Sequence, residues 1–196
     1  METEPLVPAR LLERVRECSA AALAAGALEP LPTRIEWLQD DGLPFAVRVL
    51  TGRSRKPSAD APQRDDPFEP PYERDVYVGD LASGHAAVLN KFNVLADHLL
   101  LVTRHWEPQE APLTRSDFHA LLLGLIGMGG LAFYNGGRVA GASQRHKHLQ
   151  VVPLPLAEGG PELPLAAALQ EAGAVDTPVQ APRLPFPHAI CAMPNL

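Results

Sequence analysis

Cysteine, lysine and long apolar runs are all scarce in this 196-residue chain. The two cysteines, Cys18 and Cys191, lie near opposite ends and form no Cys-x-x-Cys pair, so the chain offers no disulfide framework and fits a reducing cytoplasm. The most apolar stretch, Ala120 to Tyr134, is 15 residues long with four glycines, too short to span a bilayer. The N-terminus, Met1-Glu-Thr-Glu-Pro, lacks the basic and apolar regions of a signal peptide. The expectation is a soluble, cytoplasmic protein with no membrane partner. Positive charge is also in deficit: 17 basic residues against 23 acidic ones give a net charge of −6. That argues against nucleic acid as a partner, which would need a basic face, but leaves room for a local phosphate pocket. Only three of the 17 basic residues are lysine: Lys56, Lys91 and Lys147. In so arginine-rich a chain, a retained lysine can mark a place where a compact point charge is needed, although chance competes with that reading.

What is present describes an ordinary globular chain, 46% hydrophobic and 20% charged, long enough for one domain with a real core. Leu11, Leu12, Val15, Cys18, Ala22 and Ala25 recur at helical spacing, predicting a helix over 4–28 with Gly26 as its stop. Strands follow at 34–38 and 44–50, joined by an Asp40-Asp41-Gly42 turn. Residues 51–74 form a long polar, proline-rich loop that contains Lys56. Strands are expected at 76–79, 86–94 and 98–104, and Thr114 can cap a helix over 115–133. A strand over 146–154 comes after two small-residue bends, and 153–187 holds eight prolines with room for one short helix over 165–172. The fold class is therefore α+β, an antiparallel sheet with flanking helices. The expected organisation is a single domain over 1–196, with a core at about 33–155 and a proline-rich tail at 156–196.

The chemistry concentrates in Gly141-Ala-Ser-Gln-Arg-His-Lys-His-Leu-Gln-Val-Val-Pro. On a strand, alternate residues share a face, so His146, His148, Gln150 and Val152 stand together and Lys147, Leu149 and Val151 point the other way. The small-residue bend before the strand can aim backbone N–H groups at an anion. Three readings stay open on these residues alone. The histidines can be structural. They can be two ligands of a zinc site completed by an acid or by His85, His98, His105, His119 or His188. Or one imidazole can attack an activated phosphorus while its other nitrogen is held by an acceptor.

Five segments, in order, carry a resemblance: Asp66-Pro-Phe-Glu-Pro-Pro-Tyr-Glu-Arg-Asp-Val-Tyr-Val, Val88-Leu-Asn-Lys-Phe-Asn-Val, His98-Leu-Leu-Leu-Val-Thr-Arg, Phe133-Tyr-Asn-Gly-Gly, and the His146-Lys-His148-Leu-Gln150 strand with its bend. Together, from about Ile35 to Pro153, they resemble ATP adenylyltransferases, also called diadenosine tetraphosphate phosphorylases, of the histidine-triad and galactose-1-phosphate uridylyltransferase superfamily. The resemblance implies a histidine-triad-like sheet and gives His148 the role of nucleophile and His146 that of orienting the strand. It gives the α-phosphate to Gln150, the phosphate-facing bend to Gly141, Ala142, Ser143 and Gln144, and the lining of the nucleotide site to Asn135, Asn90, Lys91 and Lys56. The implied partners are ATP, ADP, diadenosine polyphosphates and inorganic phosphate. No covalent cofactor is implied; a divalent ion such as Mg2+ would accompany the nucleotide. The implied reaction cleaves diadenosine tetraphosphate with phosphate into ATP and ADP, or runs in reverse, through an adenylyl-histidine. The alternatives are a histidine-triad dinucleotide hydrolase, which carries a third histidine at the position of Gln150, and a non-catalytic nucleotide-binding protein. This chain departs from the family in having Ala142 where a second serine is frequent. Members are also longer, with a C-terminal region that helps complete the nucleotide site, so a domain without that region is expected here.

Overall fold

Short apolar runs build the central sheet, with α2 in the long connection between β5 and β6. Strands β3 (Tyr77–Leu81), β4 (His85–Leu89), β5 (Leu99–Thr103), β6 (Leu131–Phe133) and β7 (His148–Val152) form one antiparallel sheet in the order β3-β4-β5-β7-β6. Every residue of β4 and β5 is buried, as strands at the middle of a covered sheet should be. Helix α1 (Leu11–Ala25) packs against β3 and β4, and α2 (Arg115–Met128) against β5, β6 and β7. α2 approaches β7 so closely that a Cβ added at Gly124 would lie 2.9 Å from Val151 Cγ2.

The computed structural model describes residues 6–52, 66–81, 84–173 and 176–193. They group into two compact units: Met1–Pro32 with Gly52–Pro153, which holds the sheet, and Thr33–Thr51 with Leu154–Leu196. The second unit is built on the hairpin β1 (Thr33–Asp40) and β2 (Leu43–Leu50). Its turn residues Asp41 and Gly42 both take positive φ, the conformation a tight two-residue hairpin requires. Leu43 is buried with Ala168, Ala181 and Leu184, and Arg48 donates to the Leu156 carbonyl. The proline-rich segment thus supplies the hairpin's packing and carries helix α3 (Ala166–Ala172).

Besides an α1 that begins at Leu11 rather than at residue 4 and a β4 that stops at Leu89 rather than at 94, two further boundaries differ from the sequence reading. The apolar run 120–134 reads as one helix, yet α2 stops at Met128 and the run re-enters the sheet as β6. Gly129 and Gly130, both at positive φ, break it, and at Gly130 a Cβ would fall 2.2 Å from the Val152 carbonyl oxygen. The start of α2 is as expected: Thr114 and Asp117 form a reciprocal capping box. The other difference is at β7, which pairs regularly only from His148; His146 makes an isolated bridge to Pro108.

Candidate active site

The side-chain alternation along β7 sends Leu149 and Val151 towards α2, and Lys147 follows them. His148 and Gln150 face the other way, beneath Phe68, whose ring centroid lies 5.1 Å from that of His148.

His148 Nδ1 is 2.8 Å from the carbonyl oxygen of His146, which only accepts, so Nδ1 carries the proton. The lone pair is left on Nε2, which has no hydrogen-bond partner among the described residues. Burial lowers the His148 pKa against the smaller opposing pull of the His146 carbonyl, which keeps the ring neutral at pH 7. A neutral imidazole with a fixed tautomer and a free Nε2 is a nucleophile in its reactive form.

Gln150 belongs to a chain of hydrogen bonds with a single direction. Asn90 Nδ2 donates to His98 Nδ1 (3.3 Å), and His98 Nε2 donates to Gln150 Oε1 (3.0 Å). Gln150 Nε2 donates to Asn135 Oδ1 (2.7 Å), and Asn135 Nδ2 donates to the Ala140 carbonyl (2.6 Å). Burial drives the His98 pKa down to about 4, with the Gln150 hydrogen bond opposing and His148 assisting, so His98 stays neutral as the chain requires. The chain ends at the bend, where Gly141 sits at φ +94 and the Ala142 N–H donates to the Gly137 carbonyl. Ala142 is buried; the Ser143 and Gln144 side chains make no hydrogen bond among the described residues.

His146 is not displayed beside His148. It is buried, with Nδ1 2.6 Å from Asp66 Oδ2 and Nε2 2.7 Å from the Thr103 carbonyl. The zinc alternative therefore finds no support, because both His146 nitrogens are engaged and, among the described residues, no group of three metal-ligating side chains occurs. Lys91 binds Glu73 through both carboxylate oxygens at 3.0 and 3.2 Å. Lys56 lies outside the described residues. Lys147 points away from the site, and its stem does not run out to solvent: the residue is 0% exposed. Its Nζ donates to Glu107, Asp117 and the Pro112 carbonyl. Burial pulls its pKa down, but the two carboxylates outweigh that and raise it.

The site roles of four residues around the histidines escaped the sequence reading. His98 alternates in phase with Leu100 and Val102, so its face was readable, but its link to Gln150 depends on the sheet register. Asp66 and Phe68 lie in a recognised segment without a role attached. Gln109, which binds the main chain of His148 on both sides, stands in a loop with no periodic signal.

Comparison with known proteins bears on the family and the fold. Residues 1–171 match the family model of the Ap4A phosphorylase N-terminal domain. Diadenosine 5',5'''-P1,P4-tetraphosphate phosphorylase 2 of Saccharomyces cerevisiae is 30% identical over 168 residues, 76% of this chain and 52% of that protein. The crystal structure of yeast Ap4A phosphorylase Apa2 superposes with a TM-score of 0.71 at 26% identity, covering 91% of this chain and 58% of that one. Its complex with Ap4A gives 0.64 at 28% identity over 76% of this chain and 53% of the other. The chain spans about half the length of the curated relatives it matches. On the match over residues 1–171, this chain belongs to the Ap4A phosphorylase N-terminal domain family.

Proposed function

We propose that this chain is a nucleotidyltransferase that cleaves diadenosine tetraphosphate with inorganic phosphate, giving ATP and ADP, and that it runs the reverse reaction from the same site. The observation that carries this reading is the neutral His148 ring, with Nδ1–H held by the His146 carbonyl and Nε2 unpartnered. The relatives named as Ap4A phosphorylases support it.

In this mechanism Nε2 attacks the α-phosphorus. An N–P bond forms, the P–O bond to the β-phosphate breaks, and its electron pair leaves with ATP. The adenylylated ring becomes a cation, and the His146 carbonyl on Nδ1–H stabilises that charge as it forms. An oxygen of inorganic phosphate then attacks the same phosphorus, the N–P bond breaks, and ADP departs with His148 neutral again. Gln150, Asn135 and Asn90 would bind phosphate and ribose oxygens, as would the bend at Gly141, Ala142, Ser143 and Gln144, while Lys91 would trade Glu73 for phosphate. A divalent ion would ride on the polyphosphate and screen its charge. The two free cysteines support a reducing, cytoplasmic setting, and no described helix is long and apolar enough to cross a membrane.

The test is incubation with diadenosine tetraphosphate, with and without phosphate, followed by mass spectrometry of protein and products. Wild type is expected to carry an adenylyl adduct without phosphate and to yield ATP and ADP with it. His148→Ala should abolish both while keeping the circular dichroism spectrum. An adduct that survives His148→Ala, or AMP as the main product at millimolar phosphate, overturns the reading.

A further inference from the structure

Strand β6 ends too early to reach the nucleophile. Its pairing with β7 sets Phe133 opposite Gln150, and the same register carried two residues on sets Asn135 opposite His148. On the far side of β7, the Thr103 N–H donates to the Lys147 carbonyl, which makes Val102 and His148 a non-hydrogen-bonded pair. The main-chain N–H and C=O of His148 therefore point towards Asn135. Regular pairing would join those two main chains directly. Instead the carboxamide of Gln109 stands between them. Its Oε1 accepts the His148 N–H at 2.8 Å, and its Nε2 donates to the carbonyls of His148 (3.2 Å) and Asn135 (2.8 Å).

A side-chain amide offers the peptide group's carbonyl acceptor and one N–H donor more, so Gln109 replaces the missing strand while holding the Asn135 chain one amide-width from β7. The wedge is itself held: Gln109 is 0% exposed, its N–H donates to the Arg145 carbonyl at 2.8 Å, and its carbonyl accepts the Tyr134 hydroxyl. One arm from this amide leads to the His148 ring. The other leads through Asn135 to Gln150 and to the Ala140 carbonyl at the bend.

We infer that Gln109 is a positioning residue whose carboxamide, wedged between the main chains of His148 and Asn135, sets the nucleophile against the phosphate-facing bend. It touches no reacting atom. What it positions rests on the transferase reading above; the wedge itself can be tested without it.

Three variants separate the possibilities. Gln109→Ala empties the wedge, Gln109→Asn shortens it, and Gln109→Glu keeps its shape but removes the donors, leaving two carbonyls facing a carboxylate. Single-turnover adduct formation from diadenosine tetraphosphate should slow about thirtyfold or more per folded molecule in Gln109→Ala and Gln109→Glu, the scale of an ångström-level misplacement. AMP affinity should change less than about threefold, giving a kcat effect without a matching KM effect. In 15N NMR of the same proteins, the amides of His148 and Asn135 should shift and exchange faster while those of Leu149 and Val151 hold. Should Gln109→Glu not fold, the other two variants carry the comparison. Wild-type adduct rates in the variants, a loss that tracks the folded fraction alone, or unmoved His148 and Asn135 amides overturns the inference. If wild type forms no adduct, the transferase reading fails, and the amide shifts alone decide whether the wedge exists.

Discussion

In the proposed reaction a single side chain, that of Gln150, would decide between two chemistries. Its amide accepts from His98 and donates to Asn135, and neither atom can gain or lose a proton near neutrality. Water attacking an adenylyl-histidine needs a base, and Gln150 cannot be one. Phosphate arrives already anionic and needs none. The histidine-triad hydrolases carry histidine here, and an imidazole, with a reference pKa of about 6.5, can gain and lose a proton as an amide cannot. Gln150→His should therefore raise the AMP-to-ADP product ratio at fixed phosphate relative to wild type. An unchanged ratio would mean that residue 150 only binds and that water is excluded some other way. This residue was legible in the sequence because period-two alternation places it with His148. Its orientation was not, because that depends on His98 and Asn135, which are 52 and 15 residues away in the chain.

Between elements, the deciding contact is that of β7 with the start of α2. Asp117, itself buried, closes the Thr114 capping box and receives the buried His85 Nε2 at 2.9 Å and the buried Lys147 Nζ at 3.2 Å. Burial pushes its carboxyl pKa up, but the hydrogen bonds from Thr114, His85 and Lys147 prevail and hold it below the usual carboxylate range. Lys147 sits between His146 and His148, so the same bond that anchors the helix keeps the strand in place. Asp117→Asn keeps the shape and removes the charge facing a fully buried ammonium. It should cost about 3–5 kcal/mol of unfolding free energy, read from urea denaturation, as breaking one side of a buried pair does. A loss below about 1 kcal/mol would show that Glu107 and the Pro112 carbonyl suffice for Lys147. Sequence reasoning located the cap, since Thr-x-x-Asp before an apolar run signals it. It missed that Lys147 is wholly buried, because alternation gives a side chain's direction but not what waits there. It also missed β6, because an apolar run that turns from helix to strand at a pair of glycines shows no change of composition.

Across the whole molecule, the central strands of the sheet were readable and the grouping of the rest was not. The hairpin turn, the buried central strands and the shared side of His148 and Gln150 follow from local pattern, whereas the placing of His146 apart from them does not. That the proline-rich segment packs with the β1–β2 hairpin rests on contacts more than a hundred residues apart, such as Arg48 to Leu156 and Arg183 to Gly42. Stability as a function of pH is a further whole-molecule property, and the site sets it. His98 and His148 are buried in neutral form, and burial lowers both pKa values, that of His98 to about 4. In the unfolded chain His98 titrates near 6.5. Between that value and about 4, the unfolded state holds a proton that the native state refuses. The unfolded state binds more protons there, so stability falls as pH falls through this window and is unaffected by His98 above it. From about pH 7.5 to about 5.0, His98 alone should remove about 2 kcal/mol. His98→Gln cannot titrate, so it should be less stable than wild type at neutral pH but lose about 2 kcal/mol less on acidification from about pH 7.5 to about 5.0. Carboxylate contributions are common to both proteins and cancel in that difference. Urea denaturation of both at the two pH values measures it. Parallel losses would mean that folded His98 accepts its proton as readily as an exposed histidine, and the one-way chain from Asn90 to Ala140 would not persist in solution.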